Sequence, residues 1–336
     1  MERRLDANAR DALKDRLKLP LIAAPMFLVS GVDLVAAACA AGVIGSFPTA
    51  NCRTAGELDA WTADIQDRVA RAADDTGNAS APWCPNLIVH RSNLRLMDDL
   101  AVLLRRKPEF VITSVGSPAP VLKQLHEAGV GVFADVATIR HAERAIESGA
   151  NGLVLLTAGA GGQTGWLNPL AFVRAVRGFF DGPLVLAGGV SDGAALFGAQ
   201  AMGYDLGYMG TKFIATRESM AKQAYKDLLV ASRADDILLT RAFTGLETNM
   251  LRPSIVAVGL DPDELPARGM IDITKDISVE SRDNRPKRWK DIWSAGHSVS
   301  GVDAVTSVAE LVETTRGEYQ AALEDFERRI SRSRRL

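Results

Sequence analysis

GLVLLTAGAGGQTGW (residues 152–166) and GPLVLAGGVSDG (182–193) share one plan. Each is a short apolar run without polar alternation that ends on glycines and leads into a helix opening, at Asn168-Pro169 or near Asp192. Such runs are strands buried on both faces, as in a parallel sheet. The plan recurs on both sides: strand runs at 20–26, 43–49, 82–89, 109–116 and 131–137 precede these two, and 206–213 follows. Helical patterns fall between and after them, at 31–42, 55–72, 93–106, 119–128, 139–148, from 168, at 192–202 and at 217–231. Eight βα units in series close most naturally into a TIM (β/α)8 barrel, with an open doubly wound α/β sheet as the rival. The barrel places chemistry at strand C-terminal ends: Met26, Thr49, Asn86, Ser114, Asp135, the 158–165 loop, Gly188-Gly189 and Gly210-Thr211.

The reading gives three regions: a barrel over 1–232, an insertion over 233–290, and a C-terminal turn and helix over 291–336 packing on the barrel. The insertion carries Pro253, Pro262, Pro266 and Pro286 with little periodicity; it is read as a lid over the barrel mouth or as a solvated loop. The amphipathic tail, about 303–334, invites homodimer packing. Net charge is −2, from 39 basic and 41 acidic residues, so no basic field draws nucleic acid or an anionic membrane. Apolar runs stop well short of the roughly 18 residues of a membrane span. The charged start MERRLDANARDALKDRL has no signal-peptide core, and the expected location is cytoplasmic. Cys39, Cys52 and Cys84 are too widely spaced for a zinc site or a disulfide framework, and no metal site is expected.

Strands seven and eight end in AGGVSDG and YMGTKF. In barrels these two loops and the adjacent helix N-terminus commonly bind phosphate, because unpaired N–H groups and the helix dipole favour an anion. Gly188, Gly189 and Gly210 allow close approach, and Thr211 adds a hydroxyl. Neither GxxxxGK[ST] nor a GxGxxG in strand–helix context is present. At the end of strand one, Ala24 and Met26 can offer backbone contacts to a flat cofactor, whereas Pro25 has no N–H. Asn86 can donate and accept together, matching a flavin pyrimidine edge, or can cap backbone. Asp135 faces the same mouth as a ligand for ribityl hydroxyls, a base, or a helix cap.

The segments PLIAAPMFLVSGVDLVAAACAAGVIGSFPTAN, NLIVHRSN, VITSVGSP, GLVLLTAGAGGQTG, LVLAGGVSDG and YMGTKFIATRES resemble the nitronate monooxygenase family in order and over about residues 19–220. WSAGHSVSGV (293–302) resembles the family's C-terminal turn. The resemblance implies a TIM barrel holding FMN noncovalently, acting on a small-molecule substrate with O2. It places the Pro25-Met26 turn against the isoalloxazine, Asn86 on the flavin, and Gly161, Gly189 and Tyr208, Met209, Gly210 and Thr211 on the ribityl and phosphate.

The family's sixth loop commonly reads Gly-Gly-His; this chain reads Gly161-Gly162-Gln163. A carboxamide donates and accepts hydrogen bonds but cannot take a proton near neutral pH, as imidazole does. The expectation is that Gln163 orients substrate, that oxidation of an anionic nitronate survives, and that neutral nitroalkanes react poorly. His297 in the C-terminal turn and His90 after strand three are candidates to replace the imidazole; His126 and His141 lie on helices far from strand ends. Two other functions compete: an NAD(P)H-dependent flavin reductase acting on a quinone or enoyl thioester, and a non-catalytic flavin-binding protein.

Overall fold

The structure, a computed structural model, describes residues 15–266 and 290–333. The strands, in chain order, are β1 (Leu21–Ala23), β2 (Ile44–Pro48), β3 (Trp83–Ile88), β4 (Phe110–Ser114), β5 (Gly131–Val136) and β6 (Gly152–Leu156). They continue as β7 (Gly162–Gln163), β8 (Leu184–Ala187), β9 (Leu206–Met209), β10 (Ile237–Thr240) and β11 (Thr248–Leu251). Eight of them form a closed parallel barrel in the order β1-β2-β3-β4-β5-β6-β8-β9. Leu21, Ile22 and Ala23 pair with Gly207, Tyr208 and Met209 and shut the cylinder, which excludes the open sheet.

The apolar runs lack alternation because both strand faces are covered. Ile22, Ile44, Cys84, Ile112, Phe133, Val154, Val185 and Leu206 point inward and fill the barrel. Leu21, Ala23, Leu153, Leu155, Leu184 and Leu186 point outward under the helices. Local chemistry starts those helices. The side chains of Thr54, Thr138, Asn168 and Asp192 accept from Glu57, His141, Leu170 and Ala195 N–H groups respectively, each such cap contributing about 1 kcal/mol.

The eighth unit departs from the expected pattern. Its strand ends at Met209, a one-turn helix runs Thr211–Ile214, and the next helix begins only at Gln223. Between them the Lys226 ammonium, buried, donates to the carbonyls of Thr216 (2.7 Å) and Ser219 (3.1 Å) and holds the connection in place. The insertion also has more order than its composition suggests. β10 and β11 form an antiparallel hairpin, and β11 pairs with β7, Thr248 opposite Gln163 and Asn249 opposite Gly162. Residues 267–289 of the insertion lie outside the described residues.

The C-terminal helix Val308–Ser333 packs across the helices Gly193–Met202 and Val32–Ala41. Phe197 meets Tyr319 and Phe326 edge-on, with centroids 5.9 and 5.6 Å away. Gly193 is the tightest contact: a Cβ there would fall on the backbone of Thr315 and Tyr319. Gly193→Val is therefore expected to cost about 2–3 kcal/mol, because backbone cannot give way as a side-chain end can. Urea denaturation checks this, and an unchanged midpoint would show that the helix does not dock as described. Among the described residues no helix is long and apolar enough to cross a membrane. The three cysteines are free and buried, and burial pushes the Cys39 and Cys52 thiols up to about 12.

Candidate active site

A cavity of about 250 Å3 opens at the C-terminal ends of the barrel strands. It gathers Ala24, Pro25 and Met26 from the end of β1, Asn86 from β3, Asp135 from β5 and Gly161 and Gln163 from the sixth loop. Gly188 and Gly189 follow β8; Tyr208 on β9 and Gly210 and Thr211 beyond it complete the expected set.

Three expected residues, Thr49, Met209 and His297, are not in the lining; Thr49 is buried on the one-turn helix Thr49–Asn51 that follows β2. Met209 follows Tyr208 on β9, so strand alternation turns its side chain outward into the helix-facing core; only its carbonyl faces β1, accepting from Ala24 N–H at 2.9 Å. His297 is exposed, its N–H donating to the Gly159 carbonyl at 2.9 Å. Its ring covers Gly159, where a Cβ would lie 2.7 Å from Nδ1. The loop backbone thus stands between that imidazole and the cavity. His90 turns to Ser92 (Nδ1–Oγ 2.8 Å) and His126 to Asn151 (2.9 Å), also outside the lining.

The first-strand turn is fastened from both sides. Met26 N–H donates to Ser30 Oγ at 3.0 Å. The Asn51 amide donates to the Met26 (3.1 Å) and Ser30 (2.7 Å) carbonyls and accepts from Leu28 N–H (2.8 Å). That network holds Leu28 at φ 59°, a conformation costly for a branched aliphatic residue. On β3, Asn86 Oδ1 accepts from Ser114 Oγ at 3.1 Å and its Nδ2 donates to the Ile112 carbonyl at 3.4 Å. The sixth loop is tied to the hairpin: Asn249 Nδ2 donates to Ala160 O (2.8 Å) and Thr164 N–H to Glu247 O (3.1 Å). Gln163 thus sits on a paired strand, half-buried at the cavity edge.

The expected phosphate seat needs one correction. The helix starting at Gly193 does not offer a free N-terminus. Asp192 Oδ1 accepts from Ala195 N–H at 2.7 Å, and Glu318 Oε2, from the C-terminal helix, accepts from Gly193 N–H at 2.9 Å. Two carboxylates there oppose a further anion. Backbone at Gly188-Gly189 and Gly210-Thr211 borders the cavity beside that helix. Gly188 and Gly189 have φ of 124° and 77°, and a Cβ at Gly189 would meet nothing within 4 Å.

Sequence reasoning missed one wall of the cavity. Tyr225 and Trp293 stack with centroids 5.0 Å apart at an interplanar angle of 9°, and both line the cavity. The Tyr225 hydroxyl donates to the Ser294 carbonyl, and Trp293 Nε1 donates to Lys290 O at 3.2 Å. The available signal is the tryptophan that opens WSAGHSVSG, beside a histidine whose chemistry is the more conspicuous.

Two buried polar atoms in the site, Asp135 Oδ1 and the Tyr208 hydroxyl, have no hydrogen-bond partner among the described residues. Burial pushes the Asp135 carboxyl up to about 8 and the Tyr208 phenol well above its usual range, the Asp135 charge adding to the latter. Orphaned donors inside the cylinder and an open glycine rim fit a polar, phosphorylated, flat ligand such as a flavin mononucleotide.

The nitronate monooxygenase family profile matches residues 10–316. The chain belongs to the nitronate monooxygenase family. A nitronate monooxygenase from Paraburkholderia phytofirmans is 28% identical over 278 residues, 72% of this chain and 76% of that protein. Two solved structures share the fold. A nitroalkane oxidase from Streptomyces ansochromogenes superposes with a TM-score of 0.76 at 23% identity, covering 94% of this chain and 99% of its own. FabK from Thermotoga maritima gives 0.75 at 20%, covering 95% and 98%. Nitronate monooxygenases are flavin-dependent oxidoreductases, and this chain is an oxidoreductase of that family.

Proposed function

We propose that the chain binds FMN in this cavity and oxidises alkyl nitronates with O2, Gln163 standing where the family commonly has histidine. The observation that carries this reading is the chemistry of the lining. Its ionisable groups among the described residues are Asp135, Tyr208 and Tyr225; burial raises all three, Asp135 to about 8 and the two phenols well above neutrality, so Asp135 is mostly protonated at pH 7 and below. No imidazole lies among those residues to draw a proton from a neutral nitroalkane. A nitronate arrives already deprotonated and needs no base.

When bound, the flavin would supply the electron acceptor, with O2 as the final oxidant. The protein's part is positional. The Gln163 amide donates to an anionic nitro oxygen, with its backbone fixed by β11. Backbone N–H groups at Gly188-Gly189 and Gly210-Thr211 would hold the cofactor phosphate, and the Asn86 amide would hold the ring system. The Tyr225–Trp293 stack walls the cavity with apolar surface, keeping water from the reacting groups.

The experiment compares a preformed nitronate with its parent nitroalkane at matched concentration. The expected kcat/KM ratio is about 100 or more in favour of the nitronate, the range that loss of a general base produces. Equal efficiency would mean that another base serves the site. Anaerobic bleaching by NADPH but not by nitronate would replace this reading with a reductase. Protein that carries flavin yet turns over with neither donor would be a binding protein.

A further inference from the structure

We propose that Asp135 and Tyr208 grip the flavin from inside the barrel by donating their carboxyl and phenolic hydrogens to its acceptor atoms, so that tight binding lasts only while Asp135 carries its proton. The proposal rests on flavin occupancy of the cavity and goes beyond it by assigning a pH-dependent hold.

The geometry is specific. Asp135 lies in register with Val154 on β6, and Tyr208 with Ala187 on β8; both of those neighbours belong to the inward-facing set, so both polar side chains point into the cylinder. Both reach the cavity, and both leave a polar atom buried and unpaired. The Ser114 hydroxyl donates to Asn86 Oδ1 and the Asn86 amide donates to the Ile112 carbonyl, so neither bond goes to Asp135 or Tyr208. A carboxylate in such a place lacks donors, whereas a neutral carboxyl is itself a donor. Leaving it unmatched costs as much as breaking a hydrogen bond, so a ligand with acceptor atoms gains by arriving there.

The groups that face Asp135 leave it as the one that titrates between pH 5.5 and 9.5 among the described lining residues. Tyr208, from β9, and Cys84, from β3, are both held protonated by burial, and Tyr225 beyond them likewise. No Lys, Arg or His side chain is among those residues to stabilise the carboxylate. As Asp135 ionises, it exchanges a donated hydrogen bond for a negative charge against acceptor atoms, and the flavin is loosened.

The test is a titration of flavin affinity and of the visible spectrum of bound FMN from pH 5.5 to 9.5. Wild-type protein is compared with Asp135→Asn and Tyr208→Phe, folding being verified by far-UV circular dichroism. Wild type is expected to bind about tenfold more weakly at pH 9 than at pH 6, the loss of one good hydrogen bond. Asp135→Asn keeps a donor that does not ionise, so above about pH 7.5, where the cofactor's own phosphate has finished titrating, its affinity should stay level while that of wild type falls. Tyr208→Phe should bind more weakly at every pH while keeping the step. Infrared difference spectra of flavin-free wild type should show a protonated carboxyl band at pH 6 that is largely lost by pH 9 and is missing in Asp135→Asn, and flavin should shift that loss to higher pH; this readout also serves if a variant folds poorly. Superimposable wild-type and Asp135→Asn profiles, or no such band, overturn the proposal and leave the cofactor reading standing. A wild type that takes up no flavin at any pH overturns both.

Discussion

Gln163→His is expected to raise kcat/KM for a neutral nitroalkane by about 10^2 to 10^4, the usual contribution of a positioned general base. The position is prepared for it. Gln163 lines the cavity from β7, whose backbone is held by Thr248 and Asn249, so the new ring inherits a fixed Cα. An imidazole with a pKa near 6.5 supplies what a carboxamide lacks. The gain should appear as pH rises through the imidazole's titration, and nitronate oxidation should change far less. Steady-state rates on both substrates from pH 5.5 to 8.5 check it. A gain without that pH dependence, or equal gains on both substrates, would show that Gln163 does not face the carbon that loses the proton.

Asp135→Asn is expected to stabilise the flavin-free protein by about 3–5 kcal/mol at pH 8 relative to its effect at pH 4, at ~1.4 kcal/mol for each tenfold difference in proton affinity between folded and unfolded chain. The sign follows from proton counting. The folded carboxyl keeps its proton until about 8, whereas the unfolded chain releases it in the usual carboxylate range. Between those values the folded state binds more protons, so wild-type stability falls as pH rises through the window and levels off above it. Asparagine has no proton to lose and removes that slope. Urea midpoints of both proteins at pH 4, 6 and 8 give the comparison. Parallel midpoints would mean that the Asp135 environment is wetter than the structure shows.

How far the site could be read in advance varied with the range of the interaction concerned. The βα alternation was visible because each strand is short, apolar on both faces and bounded by glycine. Most of the lining was visible too, since a barrel puts strand ends at one rim: Pro25, Asn86, Asp135, Gly188 and Gly210 are all there. The outward turn of the Met209 side chain follows from alternation with Tyr208, and a motif read as a block hides which side chains face in. His297 was out of reach of such reasoning, since its orientation depends on close backbone contact with Gly159, 138 residues earlier in the chain.

By itself the sequence determined the period of the units, the family and the amide in place of imidazole, all properties of residue type and local spacing. Only the tertiary structure decided that β7 pairs with a hairpin from the insertion, that Glu318 reaches a helix opening at Gly193, and that Trp293 stacks on Tyr225. It alone leaves Asp135 Oδ1 and the Tyr208 hydroxyl buried without partners among the described residues. These contacts join segments 68 to 125 residues apart. Their free energy comes from close packing and matched hydrogen bonds, which depend on distances that the order of residues along a chain does not contain.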